Sequence, residues 1–350
     1  MSVLALARPE IRDLLPYSSA RMEAGDAEVM LNANESPWPA QSRLNRYPEA
    51  QPPQLRARLA ALYGVHSGQV LIGRGSDEAI DLLVRAFCRA GEDAIVVCPP
   101  TFGMYAVSAA VQGAAIVEVP LGVDFALDTD ALLARITARV KLVFVCTPNN
   151  PAGNLVPLHA IERLAIELSG RALIVTDEAY LEFAGAPSAA SLLAAHDNLV
   201  VLRTLSKAHA LAGARIGAML AHADIVDLLR RILPAYPLPS PSIAAALGAL
   251  TPAALAATRA RIAATQIARE ALAADLRRLP SVVEVLPSAA NFLCVRFAEA
   301  VGIYRHLLRS NIVVRDVSRY PGLAGCLRIS IGNVDENARL LSALRIREAA

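Results

Sequence analysis

Short apolar runs rich in β-branched residues recur along the first two thirds of the chain, at 69–73, 93–98, 115–119, 141–146, 172–176, 199–203 and 214–220. Helical patterns fall between several of them. The clearest starts at Ser76, which is expected to cap it, with Asp77 and Glu78 in the first turn. Its apolar positions are Ala79, Ile80, Leu82, Leu83, Ala86 and Phe87, and Gly91 follows its end. Strands that are apolar throughout belong in a sheet covered on both faces. Their alternation with helices predicts an α/β domain with a mostly parallel, seven-stranded sheet.

The pattern changes after about residue 240. A long Ala- and Arg-rich helix is expected over 256–279, followed by strands at 282–286 and 291–297 and a helix at 301–309. Two more strands follow at 312–317 and 326–331. A last helix starts near Asn333, its expected cap, with Asp335 and Glu336 in the first turn. This is an α+β pattern and predicts a second, smaller C-terminal domain. The expected division is an irregular N-terminal segment at 1–45, a large domain at 46–240, and an interdomain helix with the small domain at 241–350. The chain of 350 residues suits two such domains, and at 55% hydrophobic residues it can bury a sizeable core.

Charge narrows the partners. With 34 basic and 32 acidic residues the chain is nearly balanced, so no nucleic acid or membrane surface is expected. The start carries Arg8, Glu10, Arg12 and Asp13 where the apolar core of a signal peptide would lie. The 27 uncharged residues between Arg231 and Arg259 contain Pro234, Pro237, Pro239, Pro241 and Pro252, which argues for a buried or interface segment over a membrane span. Cys88, Cys98, Cys146, Cys294 and Cys326 form no C-x-x-C pair, and they fit buried thiols in a reducing cytoplasm. The six histidines form no H-x-x-x-H pair, so no metal site is expected.

Lysine is the informative residue. It occurs only at Lys141 and Lys207, and the other 32 basic residues are arginine. Chemistry that needs a side-chain primary amine has two candidates, because a guanidinium stays protonated. Lys207 closely follows the strand at 199–203, and strand ends of open α/β sheets are where ligands bind. An amine there can form an imine with an aldehyde cofactor; a lone lysine at such a place is usually a solvated loop residue, and the residues around it decide.

The residues around it match what pyridoxal phosphate demands. Its pyridine nitrogen needs a carboxylate, and Asp177 ends the strand at 172–176. Its phenolic oxygen needs donors, which Asn150 and Tyr180 can supply, although Asn150 between prolines also reads as a turn. Its phosphate needs N–H groups and positive charge. Gly73-Arg74-Gly75-Ser76-Asp77 opens a helix, and Ser206 and Arg215 can complete the cup. Phe102 offers an apolar face for the ring, or simply packs in the core.

Eight segments, in order, carry a resemblance: LNANESP (31–37), NRYPE (45–49), GRGSDE (73–78), CPPTFGMY (98–105), CTPNNPAG (146–153), VTDEAYLEF (175–183), RTLSKAHALAGARIG (203–217) and CLRISIG (326–332). The chain resembles the class-II aminotransferases of pyridoxal-phosphate fold type I. PYSSAR (16–21), LNANESP and NRYPE are similar to the branch acting on L-histidinol phosphate.

The resemblance implies that Lys207 carries the cofactor and shuttles a proton, that Asp177 meets the ring nitrogen, and that Tyr180 and Asn150 meet its phenolic oxygen. Phe102 stacks where tyrosine is common. Ser76, Asp77, Ser206 and Arg215 hold the phosphate. Tyr47 reaches the cofactor of a neighbouring subunit, which implies a homodimer. Arg328 binds the substrate anion, with Arg315, Tyr17 and Asn34 nearby. The implied reaction is ping-pong transamination of L-histidinol phosphate with 2-oxoglutarate, giving imidazole acetol phosphate and glutamate in histidine biosynthesis.

Threonine-phosphate decarboxylase and aromatic aminotransferases of this fold share the pocket and remain alternatives. A pyridoxal-phosphate-binding regulator without turnover is disfavoured by the lack of room for a DNA-binding module. A nucleotide-binding dehydrogenase is disfavoured because Glu78 stands where G-x-G-x-x-G needs its last glycine.

Overall fold

The structure, a computed structural model, describes residues 2–15, 29–39 and 44–349. The segment PYSSAR and its Tyr17 therefore lie outside the described residues.

Among the described residues, seven strands form the larger sheet: β1 (Val70–Gly73), β2 (Ala94–Val97), β3 (Ala115–Glu118), β4 (Val140–Cys146), β5 (Leu173–Asp177), β6 (Leu199–Thr204) and β7 (Gly217–Ala221). Their order is β1-β7-β6-β5-β4-β2-β3. All neighbours are parallel except β7, which runs against both β1 and β6. Parallel strands need crossovers, and helices supply them. Helix α1 (Ser76–Phe87) follows β1, α2 (Met104–Gln112) follows β2, and α3 (Leu158–Glu167) lies between β4 and β5. The apolar side chains of the strands point alternately into two hydrophobic layers. One is built around Ile72, Val96, Val143, Ile174 and Val201, the other around Leu71, Ile95, Phe144, Val175 and Leu202. The start of the chain closes the second layer, where Val3 and Leu6 are buried and the Arg8 N–H donates to the Ala86 carbonyl.

A four-stranded antiparallel sheet, ordered β10-β11-β9-β8, follows the long helix α4 (Pro252–Leu276). Its strands are β8 (Val282–Val285), β9 (Phe292–Phe297), β10 (Arg315–Asp316) and β11 (Cys326–Ser330). Helices α5 (Ala300–Arg309) and α6 (Val334–Ala349) pack on it through Ile303, Leu307, Leu340 and Leu344. Asn333 caps α6 as expected: its side chain accepts from the Glu336 N–H, and Glu336 accepts in return.

Four expectations are corrected. Strand β3 is largely exposed, because it is the edge of the sheet and has a neighbour on one side only. The run at 312–317 pairs over two residues, Arg315 and Asp316, since its preceding Val313 is exposed and has no strand beside it. The run at 214–220 begins instead at Gly217, because Ala212–Ala214 form a 3-10 turn and Arg215 takes a left-handed φ of 56°. Ser76 is the first residue of α1 and not its cap; Gly75, at φ 85°, holds the cap position and offers no side chain. Between Arg231 and Arg259, Leu238, Ala246 and Leu250 are buried, and the two helices there are bent by 73°. Among the described residues no single helix is long and apolar enough to cross a membrane, and no cluster suits a metal ion.

Candidate active site

The carboxyl ends of β1, β4, β5 and β6 converge on one cavity. Each strand is largely apolar and buried, and the polar residues of the site stand at or just after its carboxyl end. Gly75, Ser76 and Asp77 come from the turn after β1, Asn150 from the loop after β4, and Asp177 from the last position of β5. Tyr180 follows three residues later, and Ser206 and Lys207 follow β6. Phe102 precedes α2, and Arg215 precedes β7. All ten line this cavity together with Cys146, Ala179, Thr204 and Ala212.

Asp177 is the buried charge of the site. Burial pushes its carboxyl from the ordinary 3.8 up to about 6, against the pull of two donors. These are the Tyr105 hydroxyl, 2.8 Å from Oδ2, and the Ala179 N–H, 3.1 Å from Oδ1. Lys207 is open to solvent as a residue, but its amine lies in the cavity, 5.5 Å from the centre of the Tyr180 ring. Desolvation lowers its pKa first, and the neighbouring Arg328 and Arg215 add to this against Asp77 and Asp177. An amine that gives up its proton more readily is the form that attacks a carbonyl.

The far wall is built for an anion. Helix α1 starts without a side-chain cap, so its first N–H groups face outward. Arg215 Nη2 lies 3.0 Å from the Asp77 carboxylate, and the Ser206 hydroxyl is 2.9 Å from that of Thr204. Only glycine permits the approach of these segments. A Cβ at Gly217 would stand 2.4 Å from the Gly75 carbonyl carbon, and one at Gly75 would stand 2.8 Å from Arg215 Nη2. Carboxylate, amine, anion cradle and the aromatic face of Phe102 are the set that a phosphorylated pyridine aldehyde requires, so the residues present fit pyridoxal phosphate.

A second, larger cavity of about 540 Å³ opens beside the small sheet, lined by Tyr304, Arg315, Asp316, Arg319, Arg328 and Ser330 among others. Arg328 connects the two. From β11 its guanidinium donates to the Asn150 carboxamide oxygen, and it lies 5.4 Å from the Phe292 ring centre. Asn150 in turn makes a long 3.4 Å contact with the Tyr180 hydroxyl.

Two expected residues lie elsewhere. Tyr47 is 48% exposed and stacks on Tyr236 at 4.3 Å between ring centres, outside the cavity of its own chain. Asn34 is exposed at φ 55° and lines neither cavity.

Sequence reasoning missed Tyr105 and a buried ion cluster beneath the site. Arg203 meets Glu178 at 2.6 Å and Glu182 at 2.8 Å, while Glu178 also accepts from Ser188 and the Ala189 N–H. The signal for the cluster was present: Arg203 closes an apolar strand, and Glu178 directly follows another.

Residues 20–344 match the family model described as aminotransferase class I and II. A histidinol-phosphate aminotransferase of Stenotrophomonas maltophilia (strain R551-3) is 55% identical, over 99% of this chain and 98% of the relative. The enzyme of the same description from Xanthomonas axonopodis pv. citri is 51% identical over 100% of this chain and 99% of its own. Among solved structures, histidinol-phosphate aminotransferase from Sinorhizobium meliloti in complex with pyridoxal-5'-phosphate superposes with a TM-score of 0.77. It is 28% identical and covers 98% of both chains.

Proposed function

The chain belongs to the class I and II aminotransferases, and we propose that it transfers the amino group of L-histidinol phosphate to 2-oxoglutarate, a step of histidine biosynthesis. The observation that carries the reading is the meeting of Lys207 and Asp177 in one cavity, with Arg328 of the small sheet bonded to Asn150 on its wall. The substrate follows from the full-length identity to histidinol-phosphate aminotransferases.

Pyridoxal phosphate, when bound, supplies an aldehyde and a ring that takes up electrons. Everything else falls to side chains. Lys207 would hold the cofactor through Nζ; once displaced by the donor's amino group, that amine would carry the proton from the donor's Cα, across the linking nitrogen, to the carbon that had been the cofactor's aldehyde. Its lowered pKa suits an amine that must accept a proton at neutral pH. Asp177 keeps the ring nitrogen protonated. Asn150 and Tyr180 serve the phenolic oxygen, and Tyr180 also walls the amine. Ser76, Asp77, Ser206 and Arg215 anchor the phosphate, and Phe102 flanks the ring. Arg328 binds the substrate anion, with Arg315 beside it in the larger cavity. A guanidinium fork suits both a phosphate and the carboxylates of glutamate, which a two-substrate transaminase needs.

The proposal includes a homodimer with shared sites and a cytoplasmic location. Exposed Leu31, Trp38 and Tyr47 form an apolar segment that a second subunit would cover. The five cysteines are free and buried.

The deciding experiment is a spectral titration of the pyridoxal-phosphate form with L-histidinol phosphate, threonine phosphate and phenylalanine. Conversion to the pyridoxamine form by L-histidinol phosphate alone is expected. Conversion by one of the others instead would replace the substrate, and an imine band persisting in Lys207→Ala would remove the lysine assignment.

A further inference from the structure

Asp177 is held by a residue that is no part of the cavity wall. Tyr105 sits on α2, fully buried, and donates its hydroxyl to Asp177 Oδ2 at 2.8 Å. Its ring stacks on Phe144 of β4 at 4.6 Å with an interplanar angle of 12°. Its other flank meets Phe102 edge-on at 5.6 Å, and Phe102 lines the cavity. The phenol is therefore fixed between two aromatic rings, with its hydroxyl on Asp177 and beside the Cys146 thiol.

The chemistry of that donor matters. A carboxylate meant to pair with a pyridinium must stay ionised in a buried place, yet it must not be neutralised by another cation. A phenol satisfies both demands. It stabilises the charged form by a hydrogen bond and brings no positive charge. Burial and the adjacent carboxylate hold the Tyr105 hydroxyl well above the ordinary tyrosine range, so it remains a donor at every working pH. Among the described residues no arginine or lysine forms an ion pair with Asp177. The titratable groups facing it are Tyr105 from α2, Cys146 at the end of β4, Asp77 from α1, Lys207 from the loop after β6, and Glu178 and Tyr180 from its own segment. Of these, Asp77 and Glu178 favour the protonated acid, while the Tyr105 hydroxyl favours the carboxylate.

We propose that Tyr105 is a positioning residue of the transamination site: its hydroxyl sets the rotation of the Asp177 carboxylate and keeps it ionised for the cofactor's ring nitrogen. The proposal rests on the pyridoxal-phosphate reading. Tyr105 never touches the substrate, and it couples the ring-stacking residue to the ring-protonating one through a single rigid side chain.

The test is Tyr105→Phe, which keeps the ring stacked on Phe144 and removes only the hydroxyl. Cofactor-free wild type and variant are titrated calorimetrically with 4-deoxypyridoxine phosphate, which has the ring and phosphate but no aldehyde, so imine formation does not contribute. In wild type, affinity falls on acidification as Asp177 takes a proton. In the variant that fall is expected to begin about one pH unit higher, which lowers affinity roughly fivefold at the wild-type midpoint. The ring-nitrogen 15N resonance of the bound analogue should also move toward its unprotonated position. Superimposable pH profiles and unchanged resonances, even with reduced thermal stability, would leave Tyr105 a packing residue and overturn the proposal. Failure of wild type to bind the analogue at any pH would overturn the cofactor reading and this inference together.

Discussion

The Arg328 guanidinium donates to the carboxamide oxygen of Asn150, tying β11 of the small sheet to the loop that follows β4 of the large one. Among the described residues no carboxylate pairs with Arg328, so its charge is available to a substrate anion. Replacing it with Gln should raise KM for both L-histidinol phosphate and glutamate, at a cost of about 2–4 kcal/mol in kcat/KM. Arg328→Lys keeps the charge but not the fork and should recover only part of the loss. Steady-state kinetics on each substrate provide the check, and an unchanged KM for both would exclude the anion role.

Asp177 carries a stability penalty in the absence of cofactor. Its folded pKa, about 6, lies above the ordinary 3.8, so the native state binds this proton more tightly than the unfolded chain. The penalty is full above pH 6 and fades as pH falls through 6 toward 4. From the shift it amounts to roughly 3 kcal/mol. Cofactor-free Asp177→Asn should therefore resist denaturant better than wild type at pH 8, with the gap closing near pH 4. The same variant should lose transaminase activity by ~100-fold or more. A denaturation midpoint below that of wild type at pH 8 would contradict the electrostatic account.

Arg203 is the keystone of the ion cluster under the lysine loop, and its side chain and that of Glu178 are 8% and 1% exposed. Arg203→Met leaves Glu178 buried and unpaired, and should cost about 3–5 kcal/mol. Adding Glu178→Gln removes the stranded charge and should restore much of it. Chemical denaturation of the single and double variants measures this coupling; strictly additive losses would show that the pair is not coupled.

Tyr47 tests the shared site. It stands outside its own cavity, stacked on Tyr236. If its hydroxyl serves the phosphate of a second subunit, Tyr47→Phe should speed cofactor loss about tenfold, in keeping with one hydrogen bond to a charged group worth about 1.5 kcal/mol. Dialysis followed by absorbance gives the rate, and sedimentation gives the oligomeric state. A fully active monomer would exclude the arrangement.

Much of the site was legible because strand ends are legible. Asp177 and Lys207 follow apolar runs whose burial leaves little choice of secondary structure, and strand ends of such sheets face one crevice. The glycines at 75 and 217 mark the place where two distant segments crowd together. Tyr105 was not legible. Its partner lies 72 residues away, and nothing local distinguishes a tyrosine that donates to a carboxylate from one that fills a core. The cap of α1 was misassigned for a related reason. Serine favours the cap position in an isolated helix, but here the left-handed turn at Gly75 takes it and Ser76 turns its face to the cavity.

Local pattern alone, then, settled the order and kind of most strands and helices, though not all their bounds, because burying the backbone enforces periodicity on every segment separately. Tertiary structure alone decided the pairings across distance: the phenol on Asp177, the fork of Arg328 on Asn150, and the guanidinium of Arg203 between two glutamates. Hydrogen bonds and ion pairs depend on ångström-scale geometry between segments, and sequence spacing carries no record of which strand ends will meet.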